Sequence, residues 1–225
     1  MNLFDRYVRV KRKKTPRVFL IDEFYFPRKA KFKFPTILMN FENNVIIDVI
    51  KSKKQEVTMD YFFHILKEEK EDVEFICTDI SYTFKPLLQL YFPHLTLLID
   101  HFHVIKYIND QFNNTRLRVM RKCSHEKTSL KYRILKNKYK LLLKNAEDLD
   151  DETYRKDHIL GFAVHQMTLL DDKINKTYKL KELYRAFDSI TKEEINNYDM
   201  EKVLNSFISQ FENSHVEEMM EVAEI

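Results

Sequence analysis

The sequence predicts a mixed α/β region over roughly the first hundred residues, followed by an almost entirely helical region. Short runs of strand-forming residues, separated by turn and helix patterns, indicate the first region, and apolar residues at helical spacing indicate the second. The chain of 225 residues also has a single glycine, Gly161. The glycine-rich phosphate loops of P-loop ATPases and Rossmann enzymes are therefore excluded.

Five strands and two helices are expected in the first region. The predicted strands are 17–26, 34–41, 45–50, 73–78 and 95–99, and the predicted helices are 56–70 and 83–91. Glu42, Asn43 and Asn44 supply the turn chemistry of a hairpin between the second and third strands. Right-handed crossovers then place the fourth and fifth strands parallel to the first. This β-β-β-α-β-α-β order is that of a ribonuclease H-like five-stranded mixed sheet, although other mixed α/β folds share it.

The helical pattern begins at His103, where Val104, Ile108 and Phe112 follow at intervals of four. A polar break at 145–152 precedes a second helical block over 154–211, and Thr191 is a predicted N-cap within it. The second region is therefore expected to be all-helical.

Composition narrows the class of protein. A hydrophobic fraction of 44%, a charged fraction of 32% and a net charge of +3 are typical of a soluble globular chain. There is no apolar run of about 18 residues and no secretory signal pattern. Cys77 and Cys123 lack partners at metal-ligand spacing, which favours a reducing cytoplasm. The basic segments 11–17 and 116–140 either contact phosphates or keep the protein soluble.

Asp22 is the most informative side chain. Alternation along the first strand places it on one face with Val18, Leu20, Phe24 and Phe26. A carboxylate among apolar neighbours is costly unless it is paired or binds a metal. We therefore predict a functional role for Asp22; the alternative is an aspartate that caps a turn.

Two further acids follow strand ends. Asp79 ends the fourth predicted strand and Asp100 the fifth, and ligands gather at such ends in open α/β sheets. If the first and fourth strands are neighbours, Asp22 and Asp79 meet at the centre of the sheet, where Mg²⁺ or Mn²⁺ would relieve their repulsion. Asp100 and His103 share the first turn of a helix. Asp79 and Asp100 are also consistent with helix N-caps.

Three segments carry a more specific signal. They are Leu20-Ile21-Asp22-Glu23-Phe24, Thr78-Asp79-Ile80-Ser81-Tyr82 and Ile99-Asp100-His101-Phe102-His103-Val104. Together they resemble the transposases of the ISL-three class of bacterial insertion sequences, which carry IDE-F, D-x-S-x-x-Y and D-R-F-H-V segments in this order. The last segment is also similar to the D-x-x-H signature of Mutator-like transposases. The resemblance extends from about Arg17 to the end of the chain.

The resemblance implies a DDE active site. Asp22 and Asp79 match the first two acids of the family, and the third is a glutamate after a long helical insertion, in an N-[SG]-x-x-E-G-x-N context. The segment 213–217 fits this context, so Glu217 is the candidate; the alternative is a surface glutamate. The implied division is a ribonuclease H-like core at 1–102, a helical insertion at 103–205 and a truncated helix with the third acid at 206–225.

The resemblance further implies DNA strand cleavage and transfer in transposition, with Asp22, Asp79 and Glu217 holding two divalent ions, Mg²⁺ or Mn²⁺. His103 would orient one of the reacting groups. The expected partners are double-stranded DNA and, in the full-length protein, further copies of the chain. The expected location is the cytoplasm, at the nucleoid.

Three arginines near the start of the helical region are candidates for holding the DNA backbone. They are Arg116, Arg118 and Arg121. A solvated helix face is an equally good interpretation of the same three residues.

The chain departs from the family pattern in several places. His101 replaces an arginine, Glu218 replaces a glycine, and the expected I-K-x-x-K-R-x-x-Y-G segment and N-terminal DNA-recognition modules have no counterpart. By this resemblance, the chain is expected to be a truncated or frameshifted copy. Two alternatives stay open: a remnant without catalysis that binds DNA or does nothing, and an unrelated metal-dependent nuclease.

Overall fold

The structure is a computed structural model that describes residues 15–25, 34–52, 54–79, 85–149, 164–190 and 199–225. The chain divides into two compact units, Met1–His103 and Val104–Ile225. The basic residues before Thr15, the segment 80–84 with Ser81 and Tyr82, and the predicted N-cap at Thr191 lie outside the described residues. No described helix is both long enough and apolar enough to span a bilayer.

A five-stranded mixed sheet forms the first unit, and this confirms the predicted fold class. The strands are β1 (Val18–Glu23), β2 (Thr36–Asn40), β3 (Val45–Ile50), β4 (Phe75–Thr78) and β5 (Thr96–Ile99). β1, β2 and β3 pair antiparallel, while β4 pairs parallel to β1 and β5 parallel to β4. The spatial order is β3-β2-β1-β4-β5, which places β1 at the centre.

The predicted hairpin turn between β2 and β3 is confirmed. Asn44 has a φ of 56°, in the left-handed region that asparagine tolerates better than most residues. The side-chain oxygen of Asn40 accepts from the Glu42 amide at 2.9 Å, and that of Asn43 accepts from the Val45 amide at 3.1 Å. Local side-chain chemistry therefore fixes this turn.

The predicted helix over 56–70 is wrong, because the chain forms two shorter helices, α1 (Gln55–Phe63) and α2 (Lys67–Glu71). α1 ends at His64, and Ile65 then turns into the core at 5% exposure. Leu66 has an extended ψ of 147° before α2 begins. Burial of Ile65 thus breaks the helical path. The next helix, α3 (Lys85–Tyr91), agrees with the later part of the prediction.

The core of the first unit lies on one face of the sheet. Phe62 of α1 is fully buried, and its ring meets those of Phe19 and Phe92 edge-on, at centroid distances of 6.4 and 5.4 Å. Other members of this core are Ile21, Leu38, Ile47, Ile50, Met59, Val73, Ile76 and Leu88. Burying each of the larger side chains stabilises the fold by about 1.5–3 kcal/mol.

Helices make up the described part of the second unit, as predicted. They are α4 (His101–Lys122), α5 (Leu130–Asn137), α6 (Tyr139–Leu142), a 3₁₀ turn at Ala146–Asp148, α7 (Val164–Thr168), α8 (Asp172–Asp188), α9 (Met200–Glu212) and α10 (Glu217–Ala223). Their shared core contains Ile108, Phe112, Ile134, Leu142, Met167, Ile174, Phe211, Val216 and Met219. The helix carrying Glu217 is therefore packed into the core of this unit.

Candidate active site

Strand register brings Asp22 and Asp79 together. Leu20 of β1 pairs with Cys77 of β4 in a parallel ladder, and each aspartate follows two residues later on its own chain. Neighbouring strands lie about 4.8 Å apart, and residues two apart point to the same face. The two carboxylates thus extend from one face of the sheet at the carboxyl ends of adjacent strands.

A small cleft joins these two acids. Asp22 and Asp79 both line it, together with Ile21, Glu23, Thr36 and Thr78. Thr36 and Thr78 are buried, at 1% and 5% exposure, beside the exposed Asp22 and the half-buried Asp79. The expectation that the first and fourth strands are neighbours is confirmed. The catalytic roles of the two acids stay predictions.

The reason first given for singling out Asp22 is wrong in one respect. The better buried face of β1 carries Phe19 and Ile21, whereas Leu20 is half-buried and Asp22 is exposed. Asp22 shares its face with Val18 and Leu20 as predicted, but apolar neighbours in the sequence do not bury it. Asp22 therefore bears no large desolvation cost, and its interest comes from its position beside Asp79.

Asp100 continues the same row. Thr78 pairs with Ile99, so Asp79 and Asp100 follow in register at the ends of β4 and β5. One carboxylate oxygen of Asp100 accepts from the Phe102 amide at 3.0 Å, as an N-cap of α4 does. The other lies 4.0 Å from Nε2 of His103. Asp100 thus caps α4, which was the alternative interpretation of this residue, and it also faces His103.

Cys77 reports the negative charge at this end of the sheet. The pKa of its thiol is raised to about 11. Burial is the main cause, and the negative charges of Asp100 and Asp22 contribute as well. Cys77 shares the sheet face of Asp79, two residues away. Carboxylates at the ends of β1 and β5 therefore both act on this residue of β4.

The residues present suit a hard divalent cation. Carboxylate oxygens are the ligands that Mg²⁺ and Mn²⁺ prefer, and Mg²⁺ is commonly held by one or two carboxylates with substrate phosphates and waters. Within the described ranges, no group of three His, Cys, Asp or Glu side chains is placed to hold a metal ion. Asp22 and Asp79 are the acids of this cleft that could hold such an ion.

Glu217, the candidate third acid, is exposed at the first position of α10 in the second unit. A tight turn precedes it. The Asn213 side chain donates to the Ser209 carbonyl oxygen at 2.7 Å, and the Ser214 hydroxyl accepts from the Val216 amide at 3.2 Å. His215 has a φ of 56°. The segment singled out in the sequence is thus a turn that starts the helix of Glu217.

Side chains of α4 hold α10, and sequence reasoning missed this. The Arg118 guanidinium donates through Nε to one Glu218 oxygen at 2.6 Å and through a terminal nitrogen to the other. The Gln111 amide donates to Glu221 at 2.9 Å. The spacing of these residues indicates it in part. Gln111 and Arg118 lie two helical turns apart, and Glu218 and Glu221 lie one turn apart, so each pair lies on one side of its helix.

The three candidate DNA-binding arginines differ in their surroundings. Arg116 is only 6% exposed, donates to the Leu135 carbonyl oxygen at 2.5 Å and lies over the Tyr139 ring. Burial lowers its pKa. Arg118 is engaged by Glu218, whereas Arg121 is exposed beside an open cleft. Of the three, Arg121 is thus the one whose side chain is exposed and for which the described residues show no ion pair.

Comparison with known proteins gives one result. A family model described as a transposase, DDE_Tnp_ISL3, matches residues 19–225, which is nearly the whole chain. No curated protein and no solved structure matches the chain significantly.

Proposed function

Because the chain belongs to the DDE transposases of the ISL-three class, we propose that it cleaves and joins DNA strands, with a divalent metal, during movement of an insertion sequence. One observation carries this proposal. Asp22 and Asp79 end adjacent parallel strands in register and line the same cleft. That arrangement supports a role for the two carboxylates as paired oxygen ligands in metal-dependent phosphodiester chemistry.

In this proposal Asp22 and Asp79 bind the cations, and Glu217 is the third acid. When bound, two divalent ions supply an activated attacking oxygen and stabilise the leaving oxygen. The exposure of Asp22 leaves room for the phosphate and waters that complete the ligand set. Nothing in this scheme requires a covalent link between the enzyme and DNA.

Neighbouring residues orient the substrate in the same scheme. Asp100 caps α4 and faces the His103 ring, which would hold one reacting group in place. Arg121 would contact a DNA phosphate, since its side chain is exposed. The proposal also includes double-stranded DNA as the partner, association between copies of the chain and a location at the nucleoid. It further includes a division of the chain into a core at 1–102, a helical insertion at 103–205 and a last segment at 206–225.

The test is a Mn²⁺-dependent strand-cleavage and strand-transfer assay on DNA that carries the ends of the element. We expect Asp22→Asn and Asp79→Asn each to lower the rate by at least about a hundredfold, because loss of a direct ligand should exceed the 10–100-fold effect of changing an outer partner. Stability should change little for Asp22→Asn, since this side chain is exposed.

Asp48→Asn is the matched control. Asp48 lies on β3, and its carboxylate accepts from the next amide at 2.7 Å, as that of Asp22 does. It should retain the parental rate. DNA binding without any metal-dependent cleavage, or equal cleavage by Asp22→Asn and the unmodified chain, would contradict the proposal. Cleavage of DNA lacking the element ends would indicate a general nuclease instead.

A further inference from the structure

We propose that Gln111 and Arg118 are positioning residues that act through α10 to set the direction of Glu217. This inference rests on the proposed function, because it takes Glu217 as the third acid. It assigns Arg118 a role in the helical unit in place of the phosphate contact expected from the sequence. We call the four residues that carry it, Gln111, Arg118, Glu218 and Glu221, the α4–α10 clasp.

The clasp joins α4 and α10 through two contacts whose order along the two helices is opposite. Gln111 contacts Glu221, and Arg118, further along α4, contacts Glu218, which comes earlier on α10. The Arg118–Glu218 pair is bidentate, and its side chains are only 26% and 11% exposed. Bidentate guanidinium–carboxylate pairs restrict direction as well as distance. The pair therefore fixes the rotation of α10 about its own axis.

α10 needs such contacts because it is short. It has seven residues, and helices of this length do not hold their form in water without tertiary packing. On one side Val216, Met219 and Val222 enter the core of the unit. The clasp holds the neighbouring side through Glu218 and Glu221.

Glu217 takes its direction from this arrangement. It immediately precedes Glu218, and successive side chains on a helix diverge by about 100°. Glu218 is held on α4 and buried, whereas Glu217, one position earlier, is exposed. The turn before it adds a second constraint through the Ser214 hydroxyl and the left-handed backbone of His215. Releasing Glu218 would free the rotation without altering the Glu217 carboxylate itself.

The experiment measures Mn²⁺ binding by electron paramagnetic resonance of the free ion, together with the Mn²⁺ concentration needed for half-maximal strand cleavage. The variants are Glu217→Gln, Glu218→Gln and Arg118→Lys, each studied well below its unfolding temperature. We expect Glu218→Gln and Arg118→Lys to weaken Mn²⁺ binding about tenfold, as changes in outer partners of metal ligands do. Glu217→Gln should weaken it at least as much.

Arg185→Met is the matched control. It removes an ion pair in the same unit, Arg185 to Glu147 at 3.1 Å, with side chains 29% and 73% exposed, and it changes no residue of α4 or α10. This variant should lose stability but keep the parental Mn²⁺ affinity. If the clasp only stabilised the fold, Glu218→Gln and Arg118→Lys would likewise lose stability and keep the parental Mn²⁺ affinity.

A charge swap supplies the second readout. Arg118→Glu combined with Glu218→Arg should recover most of the Mn²⁺ affinity that either change alone loses, and amide exchange at 217–223 should slow again. Parental Mn²⁺ affinity in Glu218→Gln, with weakened affinity in Glu217→Gln, would overturn the positioning role alone. Parental affinity in Glu217→Gln would remove Glu217 from the proposed active site, and the positioning role with it.

Discussion

The sheet unit and the helical unit place their acidic residues by different interactions. In the sheet unit, main-chain hydrogen bonds between β1, β4 and β5 set Asp22, Asp79 and Asp100 in one row. In the helical unit, the α4–α10 clasp and a strained turn set Glu217. Backbone register is one kind of constraint, and paired side chains are the other.

This difference determines how each region responds to substitution. A strand cannot shift its register by less than a residue, and a shift of one residue moves every side chain to the other face. The row in the sheet should therefore tolerate most side-chain changes around it. A helix held by a few side chains can instead rotate by small amounts, so Glu217 should be sensitive to single substitutions that do not touch it.

The largest effect on stability is expected at the clasp. Glu218→Gln removes the carboxylate that pairs with Arg118, and we expect the free energy of unfolding to fall by about 1–3 kcal/mol. Burial opposes ionisation of Glu218 most strongly, yet hydrogen bonds from Arg118, the backbone and Thr115 lower its pKa below 4.5. The stabilisation is therefore complete above pH 4.5 and is lost as the pH falls through the lower, folded-state pKa.

Thermal unfolding between about pH 7 and about pH 3 measures this dependence. The unmodified chain should lose stability more steeply over the acidic part of the range than Glu218→Gln does. Glu224→Gln, at an exposed position of the same segment, is the control and should follow the unmodified chain. Parallel curves for Glu218→Gln and the unmodified chain would show that the ion pair contributes nothing to folding.

A smaller effect on stability is expected at two turns, one in each unit, where a residue other than glycine has a positive φ. Asn44 and His215 each have a φ of 56°, where glycine avoids the steric strain that a side chain causes. His215→Gly should stabilise the protein by about 0.5–1 kcal/mol, and Asn44→Gly by less, because asparagine tolerates this region better. Chemical denaturation provides the measurement. Destabilisation by His215→Gly would mean that the imidazole itself holds the turn.

The smallest effect is expected at Cys77. In a Cys123→Ser background, the pH dependence of thiol alkylation should give a midpoint of about 11. Asp22→Asn and Asp100→Asn should each lower this midpoint slightly, because removing a nearby negative charge makes the thiolate easier to form. Asp48→Asn should leave this midpoint unchanged. Identical midpoints in all these variants would separate Cys77 electrostatically from the row of acids.

Local patterns predicted most of the sheet unit. Strand-forming runs and the Asn44 turn gave the strands and the hairpin, and Asp79 was found from its place at a strand end. The prediction of a single helix over 56–70 failed because the chain leaves the helical path between α1 and α2, where Ile65 is buried in the core. Asp22 is exposed although its neighbours on the same face of β1 are apolar, because alternation shows which residues share a face and not how deeply each is buried.

The partners of the arginines could not be predicted from their spacing. Arg116 and Arg121 lie on one helix in a basic stretch, yet one is buried against Leu135 and Tyr139 and the other is exposed. Helical periodicity shows which residues share a face, but it does not show what that face contacts. Only packing against α5 and α6 distinguishes the two.

The amino-acid sequence by itself determined the order of the five strands, the family and the choice of three candidate acids, because these depend on local propensity and on short motifs. Tertiary structure decided which acids share a cleft, which face of β1 is buried, and that Glu218 holds Arg118. These contacts join residues up to about a hundred positions apart. Their formation depends on the balance of burial, hydrogen bonding and charge in the folded chain, which no local segment contains.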